Sequence, residues 1–113
     1  MNARELHQQY RKYKGTGGTS QGNGRMGFLP AYLDSNTGQI CLSRYRDGRL
    51  APVHVLDGLP AQWVSLRSTS GRVLAILDSI VAGFERQGEF YTRDEAAALT
   101  SHRSEQKDIH DAA

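Results

Sequence analysis

Short apolar segments alternate with clusters of turn-forming residues from Phe28 onward. The turn clusters combine glycine with Asn, Asp, Ser or Pro, and the first four recur at intervals of about ten residues, a spacing typical of antiparallel strands joined by short turns. The intervening segments, rich in β-branched, aromatic and other apolar residues, are Phe28–Leu33, Gln39–Tyr45, Pro52–Leu56, Gln62–Arg67 and Arg72–Leu77. The pattern therefore predicts a β-meander.

One stretch of this region fits two interpretations. The apolar residues between Val73 and Phe84 recur at helical spacing, which favours a single helix. The alternative is a pair of strands, 72–77 and 79–85, joined by a polar link. Because turn clusters bracket the stretch on both sides, we favour the two strands.

The strongest local signals lie between Ser79 and Leu99. Arg86-Gln87-Gly88 separates two apolar runs and predicts a hairpin connection containing the glycine that such turns require. Thr92 and Glu95 form a capping box, in which the Thr92 hydroxyl accepts from the Glu95 amide and the Glu95 carboxylate accepts from the Thr92 amide. We therefore expect a helix from residue 93 to about residue 100.

Together these elements predict an α+β domain over residues 28–101, an antiparallel β-meander of five to seven short strands closed by a C-terminal helix. Residues 1–27 are predicted to form a flexible Gly-rich N-terminal arm outside this domain. Within the arm, residues 3–14 have the amphipathic spacing of a short helix. Residues 15–27 contain six glycines in thirteen positions, a composition typical of a linker. The polar tail, 102–113, is predicted to be disordered.

Charge and composition narrow the functional classes. The chain of 113 residues, 38% of them hydrophobic, fits one domain. No run of apolar residues in the sequence is long enough to span a membrane. Five cations against one anion make residues 1–27 basic, whereas residues 28–91 carry equal numbers of cations and anions. Any affinity for polyanions is therefore expected in the arm. The single cysteine, Cys41, and the absence of an apolar N-terminal segment favour a cytoplasmic location.

No catalytic or cofactor motif accompanies these features. Gly22–Gly27 matches G-x-G-x-x-G but lacks the preceding strand and following helix that a dinucleotide site requires. The four histidines show no metal-ligand spacing, apart from a cluster in the tail around His110. Cys41 and His54 are the one candidate pair for nucleophilic catalysis, with no identifiable oxyanion donor. We therefore expect no enzyme, no metal and no cofactor, with Cys41 as a small buried thiol and His54 as a packed or hydrogen-bonded side chain.

Two clusters of basic and aromatic residues are candidates for nucleic-acid binding. Such clusters suit this role because cations contact phosphates while aromatic rings stack on bases. The arm contributes Arg11, Lys12, Tyr13 and Lys14, and a predicted turn contributes Arg44, Tyr45, Arg46 and Arg49. The alternative is that the arginines of the turn pair with nearby aspartates on a solvated face.

Protein–protein binding is the other functional class that the sequence supports. Tyr32 and Trp63 are aromatic residues of the kind that anchor interfaces, although Trp63 fits the centre of the core equally well. A small meander also has edge strands that can pair with a partner.

The sequence from Leu56 to Ala97, including LDGLPAQWVSLRSTSGRV and GFERQGEFYTRDEAA, resembles small accessory proteins carried by bacterial plasmids, prophages and integrative elements. The resemblance implies a non-enzymatic accessory protein and transfers no site residue. We therefore expect a small binding protein that acts through a protein partner. The alternative is a nucleic-acid-binding module, and neither hypothesis involves a membrane. The identity of the partner and the oligomeric state stay open.

Overall fold

The computed structural model describes residues 1–101, apart from the side chains of Ser20 and Gln21. The tail predicted to be disordered, residues 102–113, lies outside the described residues. Helix α1 spans Ala3–Tyr13 and helix α2 spans Ser20–Asn23, with 3-10 turns at Gly24–Met26 and Ala61–Trp63. The strands are β1 (Leu29–Asp34), β2 (Ile40–Leu42), β3 (Val64–Arg67), β4 (Val73–Ile76), β5 (Ile80–Arg86) and β6 (Glu89–Thr92). Helix α3 covers residues 93–101.

The predicted α+β class, with antiparallel strands and a C-terminal helix, is confirmed. Within the described part of the chain, the strands divide into a four-stranded sheet of order β2-β1-β5-β6 and a two-stranded sheet of β3 and β4. The order departs from a simple meander because β1 pairs along its whole length with β5, which lies far along the chain. The strand predicted at Pro52–Leu56 is wrong. This segment is irregular, and its Val55 amide donates to the Ser43 hydroxyl at 2.9 Å instead of joining a ladder.

The local signals near the C-terminus are confirmed. The stretch that fitted either a helix or two strands forms β4 and β5. Gln87 and Gly88, with φ of 54° and 84°, occupy the left-handed region and connect β5 to β6, as a tight hairpin turn requires. In the capping box, the Glu95 amide donates to the Thr92 hydroxyl at 3.1 Å and the Thr92 amide donates to the Glu95 carboxylate at 2.9 Å.

The predicted flexible Gly-rich arm is wrong, although its helix is confirmed. The amide of Ile76 in β4 donates to the Met1 carbonyl at 2.7 Å, which ties the start of the chain to the two-stranded sheet. Gly17 and Gly18 are buried, and a Cβ at either position would overlap the side chain of Thr100 or Tyr13. These glycines therefore allow close packing of the backbone instead of supplying flexibility, a role that composition does not distinguish from a linker.

The core comprises two groups of buried side chains. The larger group lies where the two sheets and the irregular segment meet, and its large members are Tyr32, Leu56, Trp63, Ile76 and Ile80. The smaller group packs Phe28 and Phe84 against Ala96 of α3. Leu6 of α1 packs against the larger group.

Candidate functional site

A groove of about 340 Å³ lies beside α1. Leu6 and Tyr10 of α1 border the groove on one side, and Val53 of the irregular segment borders it on the other. His54 and Arg93 also line it. Tyr10 and Val53 are 37% and 51% exposed, whereas Arg93 is 5% exposed, so the groove has an accessible apolar rim above a buried cation.

Arg93 is the first residue of α3, and its side chain extends into the interior. One terminal guanidinium nitrogen donates to the Gly18 carbonyl at 2.8 Å, and the other lies 3.2 Å from Nδ1 of His54. The guanidinium also lies over the ring of Phe84, 5.8 Å from its centroid. Its Nε is buried and has no hydrogen-bond partner within residues 1–101. Burial lowers the pKa of Arg93, which is the expected effect of removing a cation from water.

Two hydrogen bonds fix the protonation state of His54. Its Nε2 lies 2.6 Å from the carbonyl oxygen of Gly83, which can only accept, so Nε2 carries the proton. Its Nδ1 faces the guanidinium of Arg93, which can only donate, so Nδ1 is unprotonated. Burial first and the Arg93 charge second lower the pKa of His54 from 6.5 to about 4. The imidazole is therefore neutral near pH 7.

The charge of Arg93 has no carboxylate partner among residues 1–101, since none lies within ion-pair distance of it. The neighbouring residue, Asp94, is exposed and accepts a hydrogen bond from the Tyr13 hydroxyl. This bond raises the pKa of Tyr13. The groove thus contains a buried positive charge that the described residues leave uncompensated.

The groups considered for nucleophilic chemistry are in unreactive forms. Both ring nitrogens of His54 are engaged, so no lone pair is free to accept a proton from a substrate. Partial burial raises the pKa of Cys41, which keeps its sulfur as a thiol, and the Gln39 amide lies 3.7 Å from that sulfur. Near pH 7, neither side chain is therefore in the form that nucleophilic catalysis uses.

The basic residues of the predicted arm lie at the carboxyl end of α1. Arg11, Lys12 and Lys14 are exposed. The Lys12 ammonium lies 5.2 Å from the centroid of the Tyr13 ring. The arm contains two tyrosines, Tyr10 and Tyr13. The Tyr13 hydroxyl donates a hydrogen bond to Asp94, so this tyrosine is already held by a contact within the protein.

The second predicted cluster surrounds a tight turn. Arg44 donates to the Gly48 carbonyl at 2.8 Å, and Arg49 both pairs with Asp47 at 2.7 Å and stacks over the Tyr45 ring at 5.3 Å. Hydrogen bonds from the Arg49 backbone and side chain lower the pKa of Asp47. The predicted pairing with aspartate therefore holds for Arg49.

The remaining arginine of that cluster, Arg46, lies near the same glycine as Arg67, which the sequence did not indicate. Arg46 lies against Gly71 in the turn between β3 and β4, and Arg67 donates to the carbonyl of the same glycine at 2.9 Å. Arg46 is exposed. These two guanidinium groups therefore concentrate positive charge at adjoining turns.

The two predicted basic clusters contact different parts of the structure. Tyr13 of the arm cluster bonds to Asp94 of α3, whereas Arg46 of the turn cluster lies against Gly71 in the turn between β3 and β4.

Tyr32 and Trp63, predicted as interface anchors, are core residues. They are 0% and 2% exposed, and the Tyr32 hydroxyl donates to the Val55 carbonyl at 2.9 Å. A partner could reach neither ring without opening the sheets, so the interface prediction for these two residues is wrong. The neighbouring Val53, in the same irregular segment as Val55, is the accessible apolar residue.

Within residues 1–101, no group of three or more potential metal ligands is close enough to hold an ion. The tail cluster considered for a metal lies outside this range. No helix in the same range is long and apolar enough to cross a membrane.

Comparison of the chain with models of protein families, with curated proteins and with solved structures found no significant match. The geometry described above is therefore the basis for any functional assignment. Sequence analysis assigned Arg93 no role beyond its place in the capping box. No local signal identifies it as part of a site, because its partners Gly18 and His54 are distant along the chain.

Proposed function

We propose that this chain is a small binding protein that acts through contact with a protein partner at the groove beside α1. The observation that supports the proposal best is the combination of an accessible apolar rim with a buried, uncompensated guanidinium. Protein interfaces frequently combine a desolvated aromatic or arginine anchor with surrounding apolar contacts. The engaged nitrogens of His54 favour binding over catalysis.

The resemblance to accessory proteins of bacterial mobile elements supports a role in modulating a host or plasmid process. The single half-buried Cys41, which has no disulfide partner, supports a cytoplasmic location.

Site-specific photocrosslinking tests the proposed interface. The full chain would carry p-benzoylphenylalanine at Val53 in the groove or, as a matched control, at Leu66, an exposed apolar residue of β3. We expect one discrete adduct in bacterial cells from position 53 and none from position 66. Adding Tyr10→Asp to the opposite rim should remove the adduct, because a charge there opposes burial of an apolar contact. Equal labelling from both positions, or an adduct unaffected by Tyr10→Asp, would refute the proposal.

A second candidate function is nucleic-acid binding. It is favoured by the positions of Arg46 and Arg67, whose guanidinium groups both lie near Gly71. Binding that neutralises phosphates weakens steeply as salt increases. We would therefore measure oligonucleotide affinity at two salt concentrations for the full chain and for the double variant Arg46→Gln, Arg67→Gln. Arg25→Gln, which removes one exposed arginine elsewhere, is the control. Salt-dependent binding lost only in the double variant supports this function, and absence of binding at low salt rules it out.

A further inference from the structure

We propose that the groove receives a carboxylate, presented by an acidic side chain of the protein partner, and that this carboxylate pairs with the guanidinium of Arg93. The inference rests on the proposed function and specifies the chemistry of the partner.

Arg93 has hydrogen-bond donors that the described residues do not use. A guanidinium has five N–H donors, and Arg93 uses two of them within the described residues, toward Gly18 and His54. Its buried Nε has no hydrogen-bond partner in the described part of the chain. A buried cation and its unpaired donor are both costly, and a carboxylate compensates both because it is anionic and accepts two hydrogen bonds side by side.

The guanidinium of Arg93 is held in place by contacts within the protein, without a ligand. The Gly18 carbonyl, Nδ1 of His54 and the ring of Phe84 contact it from three directions. His54 accepts without carrying charge, so it orients the guanidinium and leaves the positive charge unneutralised. A ligand therefore meets a preorganised cation and does not bear the cost of ordering a flexible side chain.

The rim of the groove is mostly apolar. Apart from His7, the residues that line it around His54 and Arg93 are Ala3, Leu6, Tyr10 and Val53, so a strongly hydrated inorganic anion gains little from the rim. A carboxylate attached to an apolar group can contact both the rim and the cation. The volume of about 340 Å³ lies at the small end of ligand sites, which suits one acidic side chain and an apolar neighbour.

Small probes test this chemistry without the partner. We would titrate the full-length protein with phenylacetate and, separately, with phenylacetamide, which has the same shape and no charge. Two-dimensional NMR would follow the Nε–H resonance of Arg93 and the backbone amides of Leu6, Tyr10 and Val53. We expect saturable shifts of these resonances with phenylacetate, and an affinity at least about tenfold higher than for the amide, because a charged hydrogen bond is lost with the amide.

Arg93→Gln should reduce phenylacetate affinity by about tenfold or more. Arg86→Gln is the matched control, since Arg86 also stacks on an aromatic ring, that of Phe28, and its loss changes the net charge equally. The control should bind as the unaltered protein does. If Arg93→Gln does not fold, the comparison of phenylacetate with phenylacetamide on the unaltered protein still decides the question.

Equal affinity for the two probes, absence of saturable shifts at Arg93, or equal losses in both variants would overturn the inference. The proposed function fails in a different way, through loss of position-specific crosslinking at Val53. A protein that crosslinks at position 53 but does not prefer phenylacetate would retain the interface and refute the carboxylate.

Discussion

Acidification should destabilise this protein through His54, well above the pH at which most carboxylates protonate. The pKa of His54 is about 4 in the folded protein, against 6.5 ordinarily, so between these values the unfolded chain binds a proton that the folded protein excludes. The contribution of His54 to stability is complete above pH 6.5 and is lost as the pH falls toward 4. At 1.36 kcal/mol per pKa unit, the full loss is about 3 kcal/mol.

Urea denaturation from pH 7 to pH 4 measures this effect. His54→Gln is the informative variant, because its amide can donate to the Gly83 carbonyl and accept from Arg93 but cannot be protonated in this range. His7→Gln is the control, since His7 is exposed on α1. Carboxylates contribute equally to all three proteins, so the difference in pH dependence between the unaltered protein and His54→Gln isolates the histidine.

The unaltered protein and His7→Gln should each lose about 3 kcal/mol more than His54→Gln over this range. Identical pH dependence in all three proteins would refute the argument. So would an NMR titration in which the ring protons of His54 report a pKa near 6.5, because the imidazole would then be neither desolvated nor close to a cation.

Three further predictions concern the fold, and equilibrium denaturation measures each. Gly83→Ala should lower the free energy of unfolding by more than about 2 kcal/mol, because the added Cβ would overlap the backbone and a ring of β6. Gly24→Ala is the control, since its Cβ would meet no atom and the stability should hardly change. Equal effects of the two substitutions would contradict the packing at Gly83. Thr92→Ala should cost about 1 kcal/mol through loss of the helix cap, and no change would contradict the cap. Tyr32→Phe should also cost about 1 kcal/mol by removing its bond to the Val55 carbonyl, and an unchanged stability would show that the bond contributes nothing.

The elements that the sequence predicted correctly are those with short-range causes. The β5–β6 hairpin follows from a residue pair, Gln87-Gly88, that accepts the left-handed conformation. The start of α3 follows from two reciprocal bonds between Thr92 and Glu95, three residues apart. In both cases the interacting groups are near neighbours, so the sequence contains the complete physical reason for the structure.

The errors arise where the cause is a distant contact. Glycines at 17 and 18 fit a linker by composition, and only the presence of Tyr13 and Thr100 beside them shows that they are packed. The strand predicted at Pro52–Leu56 has the right alternation, but its Val55 amide donates to the Ser43 hydroxyl, and the segment joins neither sheet. Alternation shows that a segment can be half buried and does not identify its partner.

The candidate site belongs to the same class. Arg93 contacts Gly18 and His54, which lie 75 and 39 positions away, so no window of sequence contains the site. His54 itself was interpreted correctly as a packed, hydrogen-bonded side chain. The role proposed for His54 depends on the neighbouring guanidinium of Arg93, and the sequence identifies Arg93 only as the first residue of a capped helix.

Within residues 1–101, the charge of Arg93 has no counterion. The bonds to Gly18 and His54 need only N–H donors, which a neutral side chain could also supply. A buried cation without a counterion lowers stability, and the contact with the Phe84 ring offsets only part of that cost. An anionic group of a partner would offset that cost, and its pairing with the guanidinium of Arg93 would contribute to the free energy of binding. The groove, with its accessible rim, offers such a group a route to the guanidinium.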